Sequence, residues 1–86
     1  DRYAASGEIN SVVSDALAAT QRVRQAFSSR PGLTFDDLDG MTVSAAEWWF
    51  NLRPSNTEPL LRLNVEAVDG GTMEAVRDEV LAIVRS

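Results

Sequence analysis

Apolar and polar residues alternate along 61–67, with Leu61, Leu63, Val65 and Ala67 set against Arg62, Asn64 and Glu66. A period of two is that of a strand with one buried face. Trp48 to Arg53 has the same period, placing Trp48, Phe50 and Leu52 opposite Trp49, Asn51 and Arg53. The two segments predict neighbouring strands in a sheet with one apolar face and one polar, arginine-bearing face. Further upstream the period becomes helical. Ala16, Thr20, Val23 and Phe27 fall on one side with Leu17 beside them, while Arg22, Arg24 and Gln25 turn to water. Ser14 is the expected N-cap, Asp15 favours the positive helix end, and Arg30-Pro31-Gly32 stops the helix. A closing helix follows Asp69-Gly70-Gly71, with Thr72 as its expected cap and Met73, Val76, Val80 and Ile83 as its inward stripe.

Two more strand regions complete the reading. Ser6 to about Val13 forms the first. Leu33-Thr34-Phe35 begins the other, Asp36 to Gly40 interrupts it, and Met41-Thr42-Val43 resumes it; Asp39-Gly40 is a tight-turn or bulge signal. The order is β-α-β-β-β-α. It predicts an α+β fold, a two-layer sandwich whose four-stranded, mainly antiparallel sheet carries both helices on its apolar face. Trp48 and Phe50 are read as core. Trp49 is read as half covered or packed on a neighbouring domain, ahead of a base- or sugar-stacking platform.

With 86 residues, 44% of them hydrophobic, the chain makes one small globular domain over 1–86. A net charge of -5 argues against a nucleic-acid surface and against attraction to anionic membranes. No apolar run reaches the ~18 residues of a membrane span. Cysteine and histidine are both absent, which removes disulfides, thiol nucleophiles, thiolate metal sites and imidazole bases. Asp36, Asp37 and Asp39 before Gly40 lack the ligand ladder of a calcium loop and read as a solvated turn, so no metal site is expected here.

The unusual chemistry sits between the two clearest strands. Arg53-Pro54-Ser55-Asn56-Thr57-Glu58-Pro59 has no glycine, two prolines, one cation, two hydroxyls and one amide. A plain hairpin needs about two to five residues, usually with glycine. This set suits an oxyanion better: arginine offers a planar fork matched to phosphate, Ser55, Asn56 and Thr57 add neutral donors, and a tight loop turns backbone N–H groups inward as a nest. Arg62 shares the sheet face of Arg53 and can add positive potential, or else pair with a neighbour such as Glu66. Glu58 repels an anion, so its expected work is structural, accepting loop N–H bonds or orienting Arg53. Glu8 and Asn10 can also lie near the loop.

The run FNLRPSNTEPLLRLNVEA resembles the phosphate-binding loop in the last domain of the α-D-phosphohexomutases, the phosphomannomutase/phosphoglucomutase family, and the opening Tyr3 to Asn10 is similar to the start of that domain. The resemblance implies a TBP-like version of the sandwich above. It assigns substrate-phosphate binding to Arg53, Ser55, Asn56 and Thr57, with Glu58 and Arg62 as support. Asn56 leans toward the phosphomannomutase/phosphoglucomutase branch, since glycine often stands there in phosphoglucosamine mutases. It further implies an intramolecular phosphotransferase that interconverts hexose 1- and 6-phosphates through a hexose 1,6-bisphosphate, in the cytoplasm. The phosphoserine, the Mg2+ and the sugar-reading residues would lie in other domains of the polypeptide, so the chain alone is expected to be inactive. It opens at Asp1 and is expected to be cut from that longer enzyme. A non-catalytic module sensing a phosphorylated metabolite is the alternative, and an RNA-binding module the remoter one.

Overall fold

The computed structural model describes residues 3–86, leaving the first two positions of the expected 1–86 domain outside. Its strands are β1 (Ala4–Ala5), β2 (Ile9–Val12), β3 (Thr34–Asp36), β4 (Met41–Ser44), β5 (Trp48–Pro54) and β6 (Leu60–Ala67). The helices are α1 (Ala16–Ser28) and α2 (Gly70–Val84). The sheet is antiparallel throughout, ordered β1-β6-β5-β4-β3, with β2 also pairing β6.

The fold is the α+β sandwich that the pattern predicts, with two differences in the sheet. The first strand region is broken. Ala5 pairs Glu66 and Ile9 pairs Leu63, so three residues face two. The extra one makes a bulge, which Gly7 accommodates at φ 70°. Ser6 holds the break together: its N–H donates to the Val65 carbonyl and its hydroxyl accepts from the Val65 N–H, both at 2.9 Å. The second difference lies at Asp36 to Gly40, which reverses the chain instead of interrupting one strand. Phe35 pairs Val43, making β3–β4 a hairpin and adding a lateral strand to the four expected.

β5 and β6 form the centre. Phe50, Leu52, Leu61, Leu63 and Val65 are buried on the inner face with Val23 and Phe27 of α1 and Val76, Val80 and Val84 of α2. Val23, Phe27 and Ala16 face the core as expected; Ala19 is buried too, whereas Leu17 stays 69% exposed, so the buried face extends toward Ala19 and not toward Leu17. On α2 Val84 is buried, while Met73 and Ile83 only border the core. The helix caps are also shifted. Asp15, not Ser14, accepts from the Ala18 N–H (3.0 Å), and Asp69, not Thr72, accepts from the Thr72 N–H (2.7 Å). In each case the winner is the residue with extended backbone just before the first turn. Hydrogen bonds from the Thr72 backbone and side chain hold the Asp69 carboxylate below its ordinary pKa. Its contribution to stability is therefore present above the ordinary carboxylate pKa and lost as pH falls through the lowered one.

Candidate functional site

The register of β5 against β6 creates the site. Arg53 is the direct cross-strand partner of Arg62, both on the polar face. Like charges directly opposite are unfavourable in a sheet. Among the described residues each pairs with a carboxylate at its outer flank: Asp39 at 3.4 Å from Arg53 and Glu8 at 3.9 Å from Arg62. The Arg62 Nε–H is buried and has no hydrogen-bond partner among the described residues. A buried donor left unpaired carries a desolvation penalty.

Beside the arginine pair and the loop after β5 lies an open concavity of roughly 570 Å³. Arg53 and Arg62 of the sheet, Ser55, Asn56 and Thr57 of the loop, and Asp39 and Gly40 of the preceding turn line it. The four residues expected from the loop chemistry thus share one space, and Arg62 joins them. Glu58 does not. It is exposed, lies outside that lining, and neither structural job foreseen for it falls to its carboxylate. Asp39 pairs with Arg53, and the Ser55 hydroxyl oxygen accepts from the N–H groups of Thr57 and Glu58, both at 3.3 Å. The expected backbone nest is accordingly part-filled from within, since the Ser55 N–H donates to Leu60 (3.0 Å). The 3.3 Å contacts are long ones that an incoming anion can displace. Arg62 pairs Glu8 rather than Glu66, and Asn10 is its neighbour across β2.

Three further positions hold the site in place, none of them foreseen as such. The Asn51 amide donates to the Asp39 carbonyl (2.8 Å) and to the Thr42 hydroxyl (3.1 Å), fixing the turn that aims Asp39 at Arg53. Gly40 lies against Arg53 because Met41 pairs Leu52. At φ 67° a Cβ on Gly40 would meet the Leu52 carbonyl at 2.7 Å and the Arg53 Cγ at 2.9 Å. The local signal for Asp39-Gly40 was a turn; only the strand register, which is non-local, ties it to the arginine. Gly40→Ala is expected to cost about 1–3 kcal/mol of stability and, if the concavity holds phosphate, to weaken that binding several-fold by displacing Arg53. A denaturant melt and a phosphate titration of the same variant check both, and parental values in both would refute the coupling.

Among the described residues no group of three or more histidine, cysteine, aspartate or glutamate side chains comes together as a metal site. No described helix is long and apolar enough to cross a membrane.

The model of the phosphoglucomutase/phosphomannomutase C-terminal domain matches residues 8–83. A phosphomannomutase of Methanocaldococcus jannaschii is 41% identical over 83 residues, covering 96% of this chain and 18% of that protein. A phosphomannomutase of Escherichia coli K12 is 52% identical over 65 residues, 76% of this chain and 14% of that protein. The crystal structure of a phosphoglucomutase/phosphomannomutase family protein from Burkholderia thailandensis superposes with a TM-score of 0.71 at 19% identity, over 99% of this chain and 18% of that one. That superposition carries the fold alone. The chain spans less than a fifth of the length of these relatives.

Proposed function

The chain belongs to the phosphoglucomutase/phosphomannomutase family, in its C-terminal domain, and on that premise we propose that it is the phosphate clamp of a larger, multidomain phosphohexomutase. The clamp holds the phosphate of a hexose 1- or 6-phosphate that is not reacting. When the bisphosphorylated intermediate turns round, the same residues take the other phosphate. One observation carries the reading: two arginines stand directly opposite each other and line one concavity with the hydroxyl- and amide-bearing loop residues Ser55, Asn56 and Thr57. That arrangement is unfavourable empty and favourable around a dianion.

Each residue has a distinct part. The Arg53 fork and the Arg62 guanidinium supply charge from the sheet. Ser55, Asn56 and Thr57 supply rotatable donors from the loop, and the Ser55 hydroxyl proton is free to point at the anion while its oxygen accepts from the loop backbone. Donors of this kind read phosphate oxygens without regard to which carbon carries them, which suits a ligand that binds in two orientations. The clamp performs no proton transfer. It contributes remote binding energy and position to chemistry elsewhere in the enzyme. Magnesium, where the enzyme uses it, belongs to other domains, and the setting is cytoplasmic sugar-phosphate metabolism.

The test combines affinity and stability. Arg62→Leu is expected to weaken inorganic phosphate binding about tenfold, about 1.4 kcal/mol, and at the same time to raise the denaturation midpoint without ligand, because the cross-strand repulsion is gone. Amide NMR titration and urea melts measure the two. Unchanged phosphate affinity with any change in stability would mean that Arg62 is an ordinary surface arginine and would remove the main support of the clamp.

A further inference from the structure

Aspartate precedes glycine twice in this chain, at Asp39-Gly40 and at Asp69-Gly70. Asp-Gly is the aspartate dipeptide that isomerises most readily, because glycine puts no side chain in the way when its backbone nitrogen approaches the neighbouring carboxyl carbon. The structure treats the two copies differently. Asp69 is the N-cap of α2, and its carboxylate accepts from the Thr72 N–H at 2.7 Å. That bond commits the carboxylate to the helix end and favours its ionised form, the form with the poorer leaving group. The extended backbone of Asp69, φ -149° and ψ 168°, sets the Gly70 nitrogen out of the plane of a five-membered ring. Gly70 is itself held as the first residue of the helix. Ring closure there requires the end of α2 to come undone.

Asp39 has none of these restraints. It lies in the turn between β3 and β4, beside a Leu38 that is 93% exposed, and its own side chain is 74% exposed. Among the described residues its carboxylate has one partner, Arg53 at 3.4 Å, a long contact between exposed groups. The Gly40 N–H donates to no acceptor among the described residues, so the attacking nitrogen has no bond to give up. The Asn51 amide donates to the Asp39 carbonyl at 2.8 Å. A donor on that oxygen polarises the 39–40 peptide and makes its N–H more acidic. A turn with few buried contacts opens locally at low cost, so this one reaches ring-closing geometry while the domain stays folded.

We infer that Asp39-Gly40, and not Asp69-Gly70, is a site of spontaneous isoaspartate formation in the folded domain. The Gly40 nitrogen bonds to the side-chain carboxyl carbon of Asp39, and the carboxyl hydroxyl leaves as water with the amide proton. Water then adds to the resulting succinimide. Addition at the side-chain carbon restores aspartate. Addition at the former peptide carbonyl carbon breaks its bond to the Gly40 nitrogen and releases a carboxylate there, so the chain now runs through the Asp39 side chain. Charge is conserved, water is the only co-reactant, and the backbone is one methylene longer. The added length falls where there is no slack: a Cβ on Gly40 would already meet the Leu52 carbonyl at 2.7 Å and the Arg53 Cγ at 2.9 Å. The turn must therefore shift, which disturbs the Asn51–Asp39 bond and moves Arg53. The inference holds whether or not the concavity binds phosphate.

Peptide mapping with electron-transfer fragmentation, which tells isoaspartate from aspartate, decides it. Chain kept folded at neutral pH and physiological temperature is expected to accumulate isoaspartate severalfold faster at 39 than at 69. Chain kept in denaturant is expected to convert both at similar rates, which assigns the difference to the fold. The side-chain N–H signal of Arg53 in NMR spectra should move in step with isoaspartate at 39. Asp39→Glu keeps a carboxylate but would have to close a six-membered ring, so its Arg53 signal should stay constant over the same time. Folded chain with no isoaspartate at 39, or with equal rates at 39 and 69, would overturn the inference. An Arg53 signal that stays fixed while isoaspartate accumulates, or drifts equally in Asp39→Glu, would overturn the effect on Arg53.

Discussion

Arg53→Ala in the multidomain enzyme is expected to lower kcat/KM about a hundredfold, a loss of about 2.7 kcal/mol of transition-state stabilisation. The size follows from what the guanidinium does. In the proposed clamp it is one of two cations that hold the phosphate, and a hydrogen bond to a charged group is worth about 1.5–3 kcal/mol. Alanine also frees Asp39, whose carboxylate then faces the concavity with its partner gone. That adds repulsion to the lost attraction and places Arg53→Ala above Arg62→Leu in effect. Lysine at 53 should recover only part of the loss, since a point charge replaces a planar fork. A clamp on the non-reacting phosphate positions the opposite end of the sugar, so the defect should appear in kcat as well as KM. Steady-state kinetics of the purified variant give the answer. An Arg53→Ala enzyme within threefold of the parent would remove Arg53 from phosphate binding.

The parts of the molecule legible in its sequence are those decided by short-range pattern. The alternation on β5 and β6 correctly places Phe50, Leu52, Leu61, Leu63 and Val65 inward and Arg53, Arg62 and Asn64 on the opposite face. What failed was decided by pairing at a distance. Phe35 and Val43 both point inward whether Asp36 to Gly40 interrupts a strand or reverses it; the hairpin exists because the two pair with each other. The caps failed for a local but undetermined reason. Ser14 beside Asp15, and Asp69 three residues before Thr72, are all competent capping side chains, and the choice falls on whichever backbone is extended when the helix docks. The site divides the same way. Arg53, Ser55, Asn56 and Thr57 stand out because their chemistry is wrong for a plain turn. Asp39 and Gly40 look like an ordinary turn until the β4–β5 register brings them against Arg53. Glu58 drew attention by proximity in sequence, and Asp39, fourteen positions from Arg53, took the role.

Phe27→Ala is expected to remove about 3–5 kcal/mol of stability. Phe27 is fully buried at the end of α1. It meets Trp48 edge-on at 6.0 Å and Phe50 at 5.2 Å, while Trp48 stacks on Phe50. Arg30 lies over its outer face, 4.2 Å from the ring centroid, and is paired with Glu79 of α2. Deleting the ring therefore opens a cavity between helix and sheet and loosens the contact from α1 to α2 together. A domain of this size has roughly 5–15 kcal/mol in total and tends to the low end, so the variant should be partly unfolded at 25 °C in water. Phe27 is on the opposite face of the sheet from the proposed phosphate clamp, and this fixes how binding should respond. Apparent phosphate affinity should fall only by the fraction unfolded, and should return to the parental value once a stabilising osmolyte restores the fold. A denaturant series, with phosphate titrated with and without osmolyte, separates the two effects. A fully folded variant with weak phosphate binding would mean instead that the aromatic cluster tunes the arginine pair through the sheet, and that the two faces are not independent.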